Sequence, residues 1–417
     1  MAGRELKSGM NLLNIVPIFL LGTGPNLIGE DRIEQKAKTE EIIKKLGMDA
    51  KPKFLIRKEE ELNDVRVKDT DVFIVFPYCT DRFTPLIHLA DSKLPMIIVG
   101  ENSAFNNALD TYEYLADHPN VEIVFTAQEV KAKLTSLEAA NWVKTAKVCV
   151  FGLETEESVG KAWCQNPIAL GKMNTHNVPR EELFSAYKSI RKMEAEKLAR
   201  KWAEEGEVRE PSLEDIAKSA RVYLAMKKIV EDAKADAAYV YLCGNFTKGL
   251  GTKMCFAMAK LADDGLPVGC WRGENLLPML ILHAASKKPI FVCEADKHSG
   301  STTTLRHCFA PCKIANCKYV LRRWRNMEGT VTGYVQLPRG QITLVNSGIG
   351  DKIVVVKAEA VDCKDLGNET CRMTVRVRLK NENIPRKFVG REFAMVYGDY
   401  LKEAKEIGAK LGLAVFS

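Results

Sequence analysis

The chain has 417 residues, which at roughly 150 per domain points to two or three domains. Apolar residues make up 46% and charged residues 28%, a globular balance that excludes a disordered, collagen-like or membrane-embedded chain. The formal net charge of +7 is spread over the whole length, so it suits anionic small molecules and does not make a nucleic-acid binder.

Near the start, the apolar run from Ile15 to Leu21 contains Pro17 and leads into Gly22-Thr23-Gly24. It is too short for a membrane span and lacks the long apolar stretch and small-residue cleavage site of a signal peptide. The twelve cysteines fall mostly inside apolar runs such as Val148-Cys149-Val150, and read as buried, reduced thiols. These features predict a cytoplasmic protein with no membrane partner.

Strands are expected at 14–21, 54–56, 71–76, 96–100, 121–125 and 147–151, with helices between them. One helix, 31–46, ends at Gly47 as a C-terminal glycine should. The run Val72-Phe73-Ile74-Val75-Phe76 does not alternate, as expected of a strand buried on both faces of a parallel sheet. Residues 1–152 are therefore predicted to be a doubly wound α/β domain. The strand ends carry Gly22-Thr23-Gly24, Pro77-Tyr78-Cys79-Thr80-Asp81 and Gly100-Glu101-Asn102, and Leu27 stands where a dinucleotide fingerprint needs glycine. Ordinary βα turns are the expectation there.

Residues 153–297 are predicted to form a second doubly wound α/β domain. A charged helical stretch covers 179–205, and Ser212-x-x-Asp215 has capping-box character ahead of an apolar stripe. Strands at 238–242, 267–270 and 289–293 then alternate with helices at 253–262 and 276–286. Residues 298–417 change character, with strands at 334–337, 341–345, 352–358 and 372–379, a helix over 399–411 and a strand at 413–416. That is a β-rich, barrel-like or sandwich domain closed by one helix.

The densest polar cluster runs from Cys270 to His307. Glu274, Glu294, Asp296 and His298 offer hard oxygen and imidazole ligands of the kind Mn²⁺ or Mg²⁺ accepts, unless they simply pair with nearby Lys and Arg. Cys308-x₃-Cys312-x₄-Cys317 fits neither the paired spacing of zinc sites nor the ferredoxin runs. Lys313, Lys318, Arg322, Arg323 and Arg325, interleaved with Tyr319 and Trp324, read as an anion-attracting surface or a subunit interface. His88, His118 and His176 are isolated and read as structural.

The order of these pieces resembles the L-fucose isomerase-like family, sugar isomerases with two α/β domains and a β-rich C-terminal domain. Its carriers are the strand and helix of 267–291 leading into an acidic turn, then His307-Cys308-x-x-Pro311 and Pro338-x-Gly340-Gln341-Ile342-Thr343-Leu344. Cys371-Arg372-Met373-Thr374-Val375 and Val396-Tyr397-Gly398-Asp399 complete the set. The resemblance implies a trimer or hexamer and one divalent metal, usually Mn²⁺, held by a Glu, an Asp and a His, the first two also serving as acid and base.

Carried over, the Glu position reads Cys270 or Trp271, and Glu274 serves only with the chain shifted by three or four residues. The Asp position offers Glu294 or Asp296, and the His position holds Glu392. Two readings follow. In one, Glu274, Glu294 or Asp296, and Glu392 hold Mn²⁺ or Mg²⁺, and Glu294, Asp296 and Glu274 are the catalytic candidates. The metal would bind the carbonyl and adjacent hydroxyl of an open-chain pentose or 6-deoxyhexose while a carboxylate moves a proton between C1 and C2 through an enediolate. Arg272, His298, His307 and Arg391 would line the substrate. In the other, the fold is kept, the isomerase chemistry is lost, and Arg272 and Arg391 suit an anionic small molecule. The first reading expects the three carboxylates to converge at one mouth between the second α/β domain and the β-rich domain.

Overall fold

The computed structural model describes residues 13–21, 54–79, 84–101, 104–152, 173–271, 273–315, 317–347, 350–365, 373–380 and 384–417. The chain divides into two compact units, Asn11–Glu138 and Ala139–Ser417.

In the first unit, β1 (Ile15–Leu20), β2 (Phe54–Ile56), β3 (Val72–Pro77), β4 (Met96–Val99) and β5 (Val121–Val124) form a parallel sheet in the order β2-β1-β3-β4-β5. The unbroken apolar runs are used on both faces. Ile18, Phe73, Val75 and Ile98 pack with Leu86 and Leu89 of α1 (Pro85–Asp91) and with Ala108 and Leu115 of α2 (Phe105–Leu115). Phe19, Val72, Ile74 and Val99 pack with Val130, Leu134 and Leu137 of α3 (Ala127–Thr145). The expected helix over 31–46 and the Gly22-Thr23-Gly24 turn lie outside the described residues.

β6 (Lys147–Phe151), expected as the last strand of that sheet, pairs instead with β7 (Asn174–Val178) and β9 (Ala237–Tyr241) in a second parallel sheet, β10-β9-β6-β7, where β10 is Val268–Trp271. An apolar run signals a doubly buried strand but says nothing about its neighbour. The charged stretch of 179–205 is two helices, α4 (Arg180–Ser189) and α5 (Lys192–Glu205), because Ile190 and Arg191 adopt extended backbone, with ψ of 127° and 131°. The next helix, α6 (Leu213–Asp232), starts on the expected capping box: Asp215 N–H donates to Ser212 Oγ, and Ser212 N–H donates to the Asp215 carboxylate. Two mostly buried helices, α7 (Cys255–Asp263) and α8 (Leu276–Ser286), follow.

β11 (Phe291–Ser299), whose start was expected to close the second α/β sheet, opens a barrel instead. It pairs antiparallel with β12 (Thr302–His307) and with β18 (Glu392–Tyr397). β15 (Gly340–Ser347), β16 (Lys352–Asp365) and β17 (Met373–Leu379) complete the ring β15-β18-β11-β12-β17-β16, and β16 pairs back onto β15. The six strands thus close on themselves and leave no open edge in the ring. β19 (Ala414–Phe416) adds in parallel to β16, and α9 (Leu401–Lys410) packs on β16 while α8 packs on β18 and β15. Outside the barrel, β8 (Glu207–Val208), β13 (Val320–Arg322) and β14 (Thr332–Tyr334) form a small sheet. Among the described residues no helix is long and apolar enough to cross a membrane.

Candidate functional site

Antiparallel register builds the site. Glu294 on β11 stands directly opposite Glu392 on β18 and Arg306 on β12, and Glu392 stands opposite Ser347 on β15. Directly opposed residues hold their Cβ atoms about 4.5–5.5 Å apart, so Arg306, Glu294, Glu392 and Ser347 form one row across four strands. An irregularity of β11 between Ala295 and Lys297 breaks the alternation and lets Asp296 join the same group.

Each carboxylate has a partner. Arg306 Nε donates to Glu294 Oε1 at 3.0 Å, and its Nη1 lies 3.0 Å from Asp296 Oδ1. Arg391 Nη2 pairs with the other oxygen of Glu294, and its Nε lies 3.6 Å from Glu392 Oε1. Glu294 is therefore held between two guanidiniums.

Glu392 is buried, with 1% of its surface exposed. Asn275 Nδ2 donates to its Oε2 at 2.8 Å, while Oε1 accepts no hydrogen bond from the described residues. Burial pushes the Glu392 carboxyl up to about 7, against the Asn275 hydrogen bond, and the neighbouring charges of Glu294 and Glu274 push the same way. The group thus changes protonation state near neutrality. Asn275 is itself fixed by a buried relay: Tyr239 Oη donates to Asn275 Oδ1 at 3.0 Å, and Gly273 N–H donates to Tyr239 Oη at 2.7 Å. Asn275 Nδ2 also reaches the Cys270 carbonyl at 3.2 Å. Gly269 makes room for the relay, since a Cβ there would lie 2.6 Å from the Tyr239 ring and 3.3 Å from Asn275 Oδ1. Asn346 pins the approach to β18 by donating to the Gly390 and Glu392 carbonyls and accepting from Val389 N–H.

The residues singled out from the sequence divide accordingly. Glu294, Asp296, Glu392 and Arg391 come together. Glu274 is anchored beside them, its carbonyl accepting from Ser347 Oγ at 2.5 Å, and its charge acts on both Glu392 and Arg391. His298 is exposed near the hairpin end, with Nδ1 3.0 Å from Thr303 Oγ1. Four residues of strand put it about 13 Å along β11 from Glu294. His307 alternates to the opposite face from Arg306, buried against Phe309, and burial pushes its imidazole down to about 4. Arg272 lies outside the described residues. Asn275 and Arg306 belong to the polar cluster read from the sequence but carried no role there, and Tyr239 was not singled out. Arg306 owes its place to the register of β12 against β11, which leaves no local signal in the sequence.

These donors do not fit a hard divalent ion. Such an ion needs deprotonated oxygens that are free to coordinate. Here both Glu294 oxygens and one Asp296 oxygen face guanidinium groups. Among the described residues no group of three or more His, Cys, Asp or Glu side chains is placed to hold a metal ion. The other candidate patch is similarly committed: Arg322 pairs with Glu210 and Asp365, and Arg323 lies 3.9 Å from Asp215. No protein-family model matches the chain, and no curated protein sequence matches it.

Proposed function

We propose that this protein is a divergent relative of the L-fucose isomerase-like sugar isomerases in which a carboxylate–arginine network replaces the metal, and that it binds an anionic polyol such as a sugar acid. The observation that carries this reading is the double guanidinium clamp on Glu294. Arg391, whose side chain is 48% exposed, is the guanidinium that a ligand carboxylate can reach, and a planar fork suits that geometry. Glu392 supplies the proton-transfer group, since a general acid or base works best with a pKa near the ambient pH. The class of reaction is then proton transfer next to a carbonyl, an isomerisation or epimerisation carried by this chain's own residues. The same reading keeps a cytoplasmic homo-oligomer, trimer or hexamer, which light scattering of the purified protein checks.

The test is ligand binding by calorimetry, with aldonates set against neutral pentoses and 6-deoxyhexoses, each with and without Mn²⁺. Aldonates should bind independently of Mn²⁺, and Arg391→Met should weaken them about tenfold or more. Mn²⁺-dependent interconversion of a neutral aldose with its ketose, lost in Glu294→Gln, would overturn this reading in favour of the metal-dependent isomerase.

A further inference from the structure

The carboxyl edge of the second parallel sheet carries a constellation that the carboxylate site does not use. β9 and β10 are neighbours in the register Val240↔Cys270 and Tyr241↔Trp271, and Leu242 N–H extends the ladder to the Trp271 carbonyl at 3.1 Å. At this edge both strands run into non-glycine residues with positive φ, Leu242 at 45° and Trp271 at 102°. Such backbone costs about 1–3 kcal/mol and persists where the surroundings enforce it, often at functional sites. The turn at Leu242 brings Cys243 back over β10, where its thiol hydrogen-bonds the Cys270 thiol. Cys243 is half-buried and Cys270 buried, and both are free thiols.

Lys253 completes the group. It is 8% exposed, its ammonium sits 4.1 Å from the centre of the Trp324 ring, and its charge acts on Cys243. The Cys270 hydrogen bond and the Lys253 charge hold the Cys243 thiol below its ordinary range, against burial, while Cys270 is held well above it. Cys243 follows the end of β9 rather than standing opposite Cys270, and the contact between the two thiols is what brings the pair within reach of a disulfide, which needs a Cα separation of about 4.4–6.8 Å.

We propose that Cys243 and Cys270 are a redox-active dithiol that reacts with low-molecular-weight disulfides, Cys243 as the attacking thiol and Cys270 as the resolving one. The Cys243 thiolate forms a bond to one sulfur of the external disulfide and expels the other half as a thiolate, which takes up the proton that Cys243 gave up. Cys270 then attacks the Cys243 sulfur and expels the second half, which leaves as a thiol with the Cys270 proton. One external disulfide is reduced to two thiols, and one protein disulfide forms. This inference rests on the thiols alone and stands or falls separately from the sugar-acid reading.

Oxidised glutathione, added to the full reduced chain, is the probe, with exposed Cys317 as the internal reference thiol. Wild type should lose two thiols, retain no glutathione at Cys243, and yield a peptide linking 243 to 270. Cys243 should react at least about tenfold faster than Cys317. Cys270→Ser should trap glutathione on Cys243, and Lys253→Met should slow that step and move its pH profile upward. A wild-type chain in which Cys243 reacts no faster than Cys317, or in which Cys270 is linked elsewhere, overturns the proposal. Mapping the wild type decides the matter even where a variant fails to fold.

Discussion

The two parallel sheets are built from similar apolar runs, yet among the described residues only the second carries strained non-glycine backbone at its carboxyl edge. In the first sheet, the non-glycine residues with positive φ among the described ones are Asp69 and Lys93, which precede β3 and β4 at the amino edge. They are turn residues that feed strands. In the second, Lys234 precedes β9 in the same way, while Leu242 and Trp271 sit at the ends of β9 and β10, at the carboxyl edge where ligands of parallel sheets bind. Glycine differs in the same sense. A Cβ on Gly100 would meet Ala108 Cβ at 2.8 Å, a matter of helix packing, whereas Gly269 clears space for the Tyr239–Asn275 relay. Strain at an amino edge serves a turn; strain at a carboxyl edge falls where parallel sheets generally receive ligands.

The contrast can be broken most directly at Asn275, which holds Glu392, the Cys270 carbonyl and Tyr239 together. Asn275→Leu should cost the Ala139–Ser417 unit about 3–5 kcal/mol in denaturant unfolding, because it strips the donor from a buried carboxyl. Ile98→Ala in the first sheet should cost about 2–4 kcal/mol as a simple cavity, with no change in pH dependence.

Glu392→Gln sharpens the comparison through pH. A carboxyl raised to about 7 binds its proton more tightly folded than unfolded, so wild type loses stability relative to the Gln variant as pH rises from about 4.5 to 7. The difference should reach about 3 kcal/mol and stay constant above that window. His283 and His307, both pushed down to about 4 by burial, act in the opposite direction in both proteins: their stabilisation is lost as pH falls from 6.5 to 4. The difference between the two curves therefore isolates Glu392.

Smaller effects follow exposure. Arg306→Met, which leaves Glu294 and Asp296 without their shared cation, should cost about 2–3 kcal/mol, and Arg391→Met less than about 1 kcal/mol. Lys228→Ala, which removes an exposed i,i+4 pair with Asp232 on α6, should change the unfolding midpoint by no more than about 0.5 kcal/mol of stability.

The sequence made much of the fold legible, because doubly buried strands and capped helices leave local signatures. The runs 72–76 and 96–99, the helix 276–286 and the Ser212 capping box could be read directly. Sheet membership could not, since β6 and β11 carry the same apolar signal whichever partner they find. β12 and β18 were missed because a run of threonines and a leading glutamate do not resemble a buried strand, although Thr303, Leu305 and Glu392 are buried. At the site, Glu392 was reached through the family resemblance rather than any local pattern. The clamp on Glu294 depends on the register of β11 against β12, which no spacing along one strand reveals.

The small sheet of β8, β13 and β14 bears on how the protein folds. Glu207 and Val208 pair with Val320 and Leu321, and Arg323 N–H donates to Glu210, 113 residues away in sequence. Neither the helical hairpin of α5 and α6 nor the segment between β12 and β15 can complete its hydrogen bonding until the other has formed. Contacts of such long sequence separation close late and slowly. The Ala139–Ser417 unit should therefore gain its last native contacts in a single slow phase, with the helical hairpin and the barrel protected from hydrogen exchange together rather than in turn.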